Sequence, residues 1–268
     1  LKLYPWFTGV LHAYFWLPIY FLFFNSMLPL EEVFLLQSLY FISVVTMEVP
    51  SGWFSDRLGR KMTLVIASVF LTTSYFLFVC STTFMTFAIA QFLLAAGIAF
   101  NSGTDTSFLF ESCEASGKQD EYAQREALAI RYGFLGTAAG SMIGGLISIL
   151  DYRGTYAISA LAGIMLIAIS LSFTEPIQTK DKTKQVSFHK QVAACVHLLQ
   201  DVKLLWLFGF AVFLLIINHI PYEFYQPYIE TLCTSFDAPK SAPIWTSIHL
   251  TMTMLIASWV AGRSIKFR

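Results

Sequence analysis

Two long apolar runs of the chain are joined by Gly52-Trp53-Phe54-Ser55-Asp56-Arg57-Leu58-Gly59-Arg60-Lys61, a turn too short to form a domain and too charged to lie in lipid. Its glycines permit a sharp turn and close approach of helices. Asp56 offers a carboxylate to a helix N-terminus or to a guanidinium. The basic cluster Arg57, Arg60 and Lys61 places this turn in the cytoplasm by the positive-inside rule.

The composition is that of an integral membrane protein. Hydrophobic residues make up 56% of the chain and charged residues 13%, against about 25% charged residues in soluble domains. The formal net charge is zero, so nothing favours a nucleic-acid partner. The cysteines show no metal or redox spacing, and we predict no metal site and no cofactor. Neither H-E-x-x-H nor G-x-S-x-G occurs, which disfavours an intramembrane enzyme.

About 20 apolar residues are needed to cross the hydrocarbon layer. On that measure the sequence predicts an all-α fold with eight spans, at residues 4–24, 33–54, 62–80, 84–110, 127–150, 155–173, 204–225 and 243–260, and an aqueous loop at 111–126. With the first residues inside, fourteen of the seventeen lysines and arginines lie on the cytoplasmic side. That asymmetry supports the predicted topology independently of the turn at Gly52.

The spans fall into three predicted regions. Residues 1–174 form an N-terminal six-helix bundle, 175–201 form a cytoplasmic linker, and 202–268 begin a C-terminal bundle with helices 7 and 8. Within the linker, residues 186–199 have apolar positions at helical spacing, which predicts an amphipathic helix on the membrane surface.

The pattern G-x-x-x-D-R-x-G-R-K, formed by Gly52, Asp56, Arg57, Gly59, Arg60 and Lys61, resembles the signature loop between the second and third helices of major facilitator superfamily transporters. A shift of 206 residues also sets Trp259 on Trp53 and Arg263 on Arg57, as a degenerate repeat of that loop. The resemblance implies a major facilitator fold, transport of a small molecule by alternating access, and a monomer in the inner membrane. Members usually have twelve helices, so the sequence corresponds to the first eight.

The fifth span contains Gly136, Gly140, Gly144 and Gly145 at spacings that let another helix pack closely. The pattern is similar to G-x-x-x-G-P-x-x-G-G of the antiporter branch, although Ser141 stands in place of the proline. This resemblance implies proton-coupled efflux of a small amphipathic molecule. Many proton-coupled members have an arginine in the fourth helix, where this chain has Gln91. Import or facilitated diffusion of another metabolite, and a truncated membrane protein without transport activity, remain alternatives.

Two groups of residues are candidates for function. By resemblance, Glu48 and Glu111 join the loop residues in a gate. Asp105 and Arg131 lie at similar depths within spans, where a charge costs about 2.5–3.5 kcal/mol, and they form either a static ion pair or a proton-exchanging site. The other candidates for the proton or substrate cavity are Asn101, Tyr14, Asn218, His219, Glu223 and Gln226.

Overall fold

The computed structural model describes residues 1–176, 193, 198, 200–238 and 241–264, without the side chains of 215, 218–223 and 264. The helices are α1 (Tyr4–Leu11), α2 (Tyr20–Asn25), α3 (Leu30–Leu58), α4 (Arg60–Cys80), α5 (Phe84–Asn101), α6 (Thr104–Ala115), α7 (Tyr122–Ser148), α8 (Tyr152–Leu171), α9 (Val202–Ser235) and α10 (Ala242–Ser264). Short 3-10 turns occupy Leu17–Ile19 and Gln119–Glu121. No strand occurs in these ranges, in agreement with the predicted all-α class. The predicted linker helix at 186–199 falls almost wholly outside the described residues.

Five helices of the described chain are long and apolar enough to cross a membrane, against eight predicted spans. They are Leu30–Leu58, Arg60–Cys80, Phe84–Ala115 (α5 and α6 counted together), Tyr152–Leu171 and Ala242–Arg263. The predicted first span is broken, and α7 combines charged residues near its start with many small polar ones. In α9 only Val202–Leu214 forms an apolar segment. The structure therefore supports a multi-pass membrane protein without confirming the number eight.

The predicted single span at 4–24 is wrong in detail, because the chain leaves the helix between α1 and the 3-10 turn. Pro18 lacks an N–H, and in an unbroken helix its ring would clash with the carbonyl of Tyr14. Tight turns replace the helix there: the N–H of Tyr14 donates to the carbonyl of His12 at 2.8 Å, and that of Phe15 to Ala13 at 3.1 Å. Hydropathy alone does not register such a break.

The predicted fourth span at 84–110 also divides, into α5 and α6. Gly103 between them has φ 68°, a left-handed conformation that favours glycine. The predicted aqueous loop at 111–126 is shorter than expected, because α6 runs to Ala115 and α7 starts at Tyr122. Within the loop, Arg125 donates to Glu121 at 2.6 and 3.0 Å, and this hydrogen bond lowers the pKa of Glu121.

The packing places α4 between α5 and α8, α1 against α7, and α7 against α10. Aromatic rings fill the space between α2, α4, α5 and α8. The ring centroid of Tyr156 lies 4.7 Å from that of Phe23 and 4.9 Å from that of Phe78. The centroids of Phe23 and Phe87 are 5.6 Å apart. Large apolar side chains also cover much of the exterior, including Leu150 at 90% and Val45 at 71% exposure. Such an apolar exterior suits contact with lipid.

Candidate functional site

A charged cluster forms where α3 meets α4, and Arg60 is its centre. The guanidinium pairs with Glu111 of α6 at 3.1 Å and with Asp56 at 3.1 Å, and it donates to the hydroxyl of Ser55 at 2.7 Å. The side chains of Arg60 and Glu111 are 10% and 17% exposed, whereas that of Asp56 is 57% exposed. Ser55, Asp56, Arg60 and Glu111, together with Glu175, are called the charged cluster below.

Glu175 belongs to the cluster through the backbone of α4. Its two carboxylate oxygens accept from the N–H groups of Arg60 at 2.7 Å and Lys61 at 2.9 Å. This satisfies two of the unpaired donors at the start of the helix and places a negative charge at its positive end. Gly59 makes this approach possible: its φ is 93°, and a Cβ there would lie 2.7 Å from the carboxyl carbon of Glu175.

The other predicted gating residues lie around the cluster with different contacts. The guanidinium of Arg57 stacks over the ring of Trp53 at 4.2 Å. Lys61 takes part through its backbone, and a Cβ on Gly52 would meet nothing within 4 Å. Glu48 is exposed and has no ion pair within the described ranges. The structure thus brings Asp56, Arg60 and Glu111 together and leaves Glu48 apart.

The predicted glycine stripe of α7 packs against the broken first span. A Cβ on Gly136 would overlap the carbonyl oxygen of Gly9, and one on Gly144 would overlap that of Phe15. A Cβ on Gly140 would lie 2.9 Å from the backbone of Ala13 and Tyr14. The stripe therefore lets main-chain atoms of the first span lie directly against α7.

Gly145 faces a different helix, since a Cβ there would overlap the Ser247 side chain of α10. Ser141, in the place of the signature's proline, is fully buried, and α7 is one continuous helix. The glycines thus let α7 pack closely against both the first span and α10.

The proposed ion pair between Asp105 and Arg131 is not formed. Asp105 accepts from its neighbour Thr106 at 2.7 Å and from the side chain of Asn101 at 3.4 Å. Arg131 is exposed and lies along α10, where a Cβ on Gly262 would be 3.4 Å from its side chain. Asp105 lies in the first turn of α6, directly after Gly103, and its described hydrogen bonds stay within α5 and α6.

A cavity of about 540 Å³ lies between the first span and helices α3, α4, α5 and α8. Its walls are mainly aromatic, and the full lining is Tyr14, Trp16, Leu17, Tyr20, Phe24, Gln37, Tyr40, Phe41, Phe78, Gln91, Leu94, Ile98 and Tyr156. The volume is in the range of pockets that hold drug-sized ligands, about 300–1,000 Å³. No carboxylate or basic side chain lines the described wall.

Two glutamines supply carboxamide groups to this cavity. Gln91 donates to the oxygen of Gln37 at 3.2 Å. Its own amide oxygen is buried and has no hydrogen-bond partner in the described part of the chain, and the residue is 3% exposed. A buried acceptor without a donor is costly. The cavity wall therefore contains a carboxamide whose buried oxygen lacks a hydrogen-bond donor in this conformation.

Few of the predicted cavity residues line this space. Tyr14 does, whereas Asp105, Asn101 and Arg131 are not part of the described lining. Gln226 lies beside the cavity and contacts the first span instead. The side chains of Asn218, His219 and Glu223 lie outside the described part of the structure.

Comparison with known proteins decides the family. The model of the Major Facilitator Superfamily matches residues 5–267. The chain belongs to the major facilitator superfamily. It is therefore a secondary transporter of small molecules rather than an enzyme, and a multi-pass membrane protein. A crystal structure of a D-xylose-proton symporter has a similar fold, with a TM-score of 0.60 and 13% identity, over 98% of this chain and 68% of that one. No curated protein matches the sequence.

The repeat expected of a major facilitator protein is visible in side-chain geometry. Arg263 of α10 stacks over Trp259 at 4.0 Å, as Arg57 stacks over Trp53 at 4.2 Å. The 206-residue shift thus pairs two equivalent contacts at the ends of α3 and α10. Gly262 occupies the position of Asp56, so the acidic partner of the first loop has no equivalent at that position.

Sequence reasoning missed Glu175 and Gln91. A signal for Glu175 was present: α4 has no acidic residue in its first turn, and Glu175 follows the sixth span on the same predicted side as that turn. For Gln91 the sequence shows only that it lies in the segment where an arginine is expected. Its burial and its pairing with Gln37 depend on tertiary packing, which the sequence does not display.

Proposed function

We propose that this major facilitator protein exports a small amphipathic molecule in exchange for protons, by alternating access of one cavity to the two sides of the membrane. The aromatic cavity beside the first span carries this proposal. Flat cargo would stack on its rings, and a delocalised cation would be attracted by their faces. The oxygen of Gln91 is buried in this conformation; after rotation of the side chain it would accept one hydrogen bond from the cargo.

The proposed coupling site is Asp105, a carboxylate at the start of α6 beside the bend at Gly103. Ionisable groups within spans are expensive and are retained where they are used. The charged cluster, together with the neighbouring Arg57, Gly59 and Lys61, is the proposed gate. We assign it to the cytoplasmic face of the inner membrane, with the linker on the same side.

The domain boundaries complete the proposal. Residues 1–174 act as one bundle, 175–201 as a linker, and 202–268 as the start of a second bundle, in a monomeric carrier of twelve helices. The match to 68% of the symporter chain supports that length. Sequencing the complete reading frame tests it, and a frame that encodes no further spans would contradict it.

Transport by the complete natural protein in liposomes tests the coupling. We expect a pH gradient to drive accumulation of lipophilic cations or neutral amphiphiles, and we expect Asp105→Asn to abolish this accumulation while counterflow without a gradient continues. Asp151→Asn is the matched control, because Asp151 caps α8 outside the cavity and asparagine caps a helix equally well. Gradient-driven accumulation that persists in Asp105→Asn contradicts the assigned site.

Cargo affinity tests the cavity. Gln91→Leu removes the proposed hydrogen bond, worth about 0.5–1.5 kcal/mol, and should raise the dissociation constant roughly 2- to 13-fold. Gln119→Leu is the control, because its amide contacts Glu114 at the surface. If Gln91→Leu binds the cargo as tightly as the wild type does, the cargo does not bind at Gln91.

A second candidate is uptake or facilitated diffusion of a neutral metabolite. It is favoured by Gln91 in the place of the expected arginine and by the unbroken α7, in which Ser141 replaces the signature's proline. Counterflow that is insensitive to a pH gradient in the wild type would support this alternative over proton-coupled export.

A further inference from the structure

Gln226 joins α9 to the first span through its side chain. The amide oxygen accepts from the backbone N–H of Phe21 at 3.0 Å, and the amide nitrogen donates to the carbonyl of Leu17 at 2.7 Å. Gln226 is 3% exposed, so water does not compete for these bonds. Gln226, Leu17 and Phe21 are called the amide junction below.

The two backbone groups in this junction are four residues apart. In an uninterrupted helix the N–H of Phe21 would donate to the carbonyl of Leu17. Here Ile19 between them has φ −133° and ψ 7°, which is outside the helical region. The carboxamide, with a donor and an acceptor on one planar group, occupies the gap in the helical hydrogen-bond ladder.

If α9 separates from the first span, the N–H of Phe21 and the carbonyl of Leu17 lose the carboxamide of Gln226 and need other hydrogen-bond partners. An unpaired N–H and an unpaired carbonyl in an apolar environment are costly. If α2 extends backwards by one turn, Phe21 and Leu17 bond each other and neither group is lost. Pro18 would then lie in the first turn of that helix, where proline is well tolerated. Both arrangements satisfy these two backbone groups, so the junction can change partners without leaving either group unpaired.

The junction also borders the cavity, since Leu17 and Tyr20 belong to the cavity lining. We propose that Gln226 is a positioning residue for alternating access: its carboxamide replaces the Leu17–Phe21 hydrogen bond while the entrance between α9 and the first span is closed, and it withdraws when that entrance opens. This inference rests on the proposed transport cycle and adds to it the group that closes one entrance.

The test is the accessibility of the cavity from each side. In the complete protein, with every native cysteine replaced by serine, Leu94→Cys places a thiol on the cavity wall. A membrane-impermeant maleimide is applied to right-side-out and inside-out vesicles. Gln226→Leu leaves the closed state with two unpaired backbone groups and does not affect the open state. We expect labelling to become about tenfold faster from the side of the amide junction and slower from the other side.

Two further variants separate a positioning role from a structural one. Gln226→Asn keeps the carboxamide on a shorter side chain, and partial return of the wild-type labelling is expected. Thr231→Val is the control on the same helix, because its hydroxyl bonds only to Pro227 within α9. Unchanged labelling of Gln226→Leu, or an equal increase from both sides, would overturn the proposal. So would a weaker cargo affinity with normal labelling, which would make Gln226 a cargo ligand.

The labelling measurement requires no cargo. A wild-type protein that labels as expected but moves nothing would contradict the proposed function and leave the role of Gln226 standing. Conversely, normal transport together with unaltered labelling of Gln226→Leu would contradict the role of Gln226 alone.

Discussion

The charged cluster and the amide junction both join segments that are distant in sequence, but they do so with different chemistry. The cluster pairs Arg60 with Glu111 at 3.1 Å and keeps one partner, Asp56, 57% exposed. The junction uses a neutral carboxamide that is 3% exposed. Ionised groups are costly to bury unless paired, whereas a carboxamide can be buried with two hydrogen bonds and no charge.

The difference has a consequence for movement. If Arg60 leaves the cluster, Glu111 has no alternative cation among the described ion pairs. If Gln226 leaves the junction, its two backbone partners can bond each other. We therefore expect damage to the cluster to reduce stability, and damage to the junction to redistribute conformations.

The largest expected effect is that of Arg60→Met. It leaves Glu111 with an uncompensated charge in a largely buried position, which typically costs about 3–5 kcal/mol. Arg57→Met is the control, because Arg57 is exposed and stacks only on Trp53. Thermal unfolding in detergent micelles measures both variants. The double variant Arg60→Met with Glu111→Leu should recover most of the loss, and a loss that persists in it would show that charge burial is not the cause.

Next in size is Gly144→Ala. The added methyl overlaps the carbonyl oxygen of Phe15, and overpacking of this kind costs about 1–3 kcal/mol. Because α7 supports the first span that carries Leu17 and Phe21, this variant should also disturb the amide junction. Gly209→Ala is the matched control: nothing lies within 4 Å of its Cβ, and alanine stabilises a helix interior by about 0.5–1 kcal/mol. Equal unfolding temperatures for the two variants would contradict the stripe's role.

The sequence predicted what depends on local composition. Apolar runs located most of the helices, the glycine spacing identified the face of α7 that packs closely, and the charged turn located Asp56 and Arg60. It did not predict the breaks at residues 12–16 and at Gly103, because hydropathy averages over backbone conformation. It also did not predict the partners of Glu175 and Gln226, which are about 115 and 205 residues away along the chain. Those contacts depend on how the helices pack.

A smaller effect is expected for Glu175→Ala. The loss of a side-chain cap at a helix N-terminus costs about 0.5–2 kcal/mol, and the N–H groups of Arg60 and Lys61 lose their acceptors. Hydrogen exchange of the first turn of α4 should accelerate, with little change at the first span. Glu175→Gln keeps an acceptor oxygen and should fall between the wild type and alanine. Exchange that accelerates equally in both segments would show that the two regions are not independent.

The smallest effect on stability, and the one that best separates a gate from a scaffold, is that of Asp56→Asn. In the ion pair with Arg60 the Asp56 side chain is 57% exposed, and exposed pairs contribute about 0.2–1 kcal/mol to the free energy of unfolding. The loss should shrink further as salt rises toward 1 M, where the screening length falls to about 3 Å. The amide junction carries no charge, so the effect of Gln226→Leu on labelling should not depend on salt.

If Asp56 acts in the gate, its variant will slow transport while the dissociation constant of the cargo stays unchanged. A large loss of cargo binding would instead connect Asp56 to the cavity, contrary to the distance between the turn at Gly59 and the aromatic wall along α4.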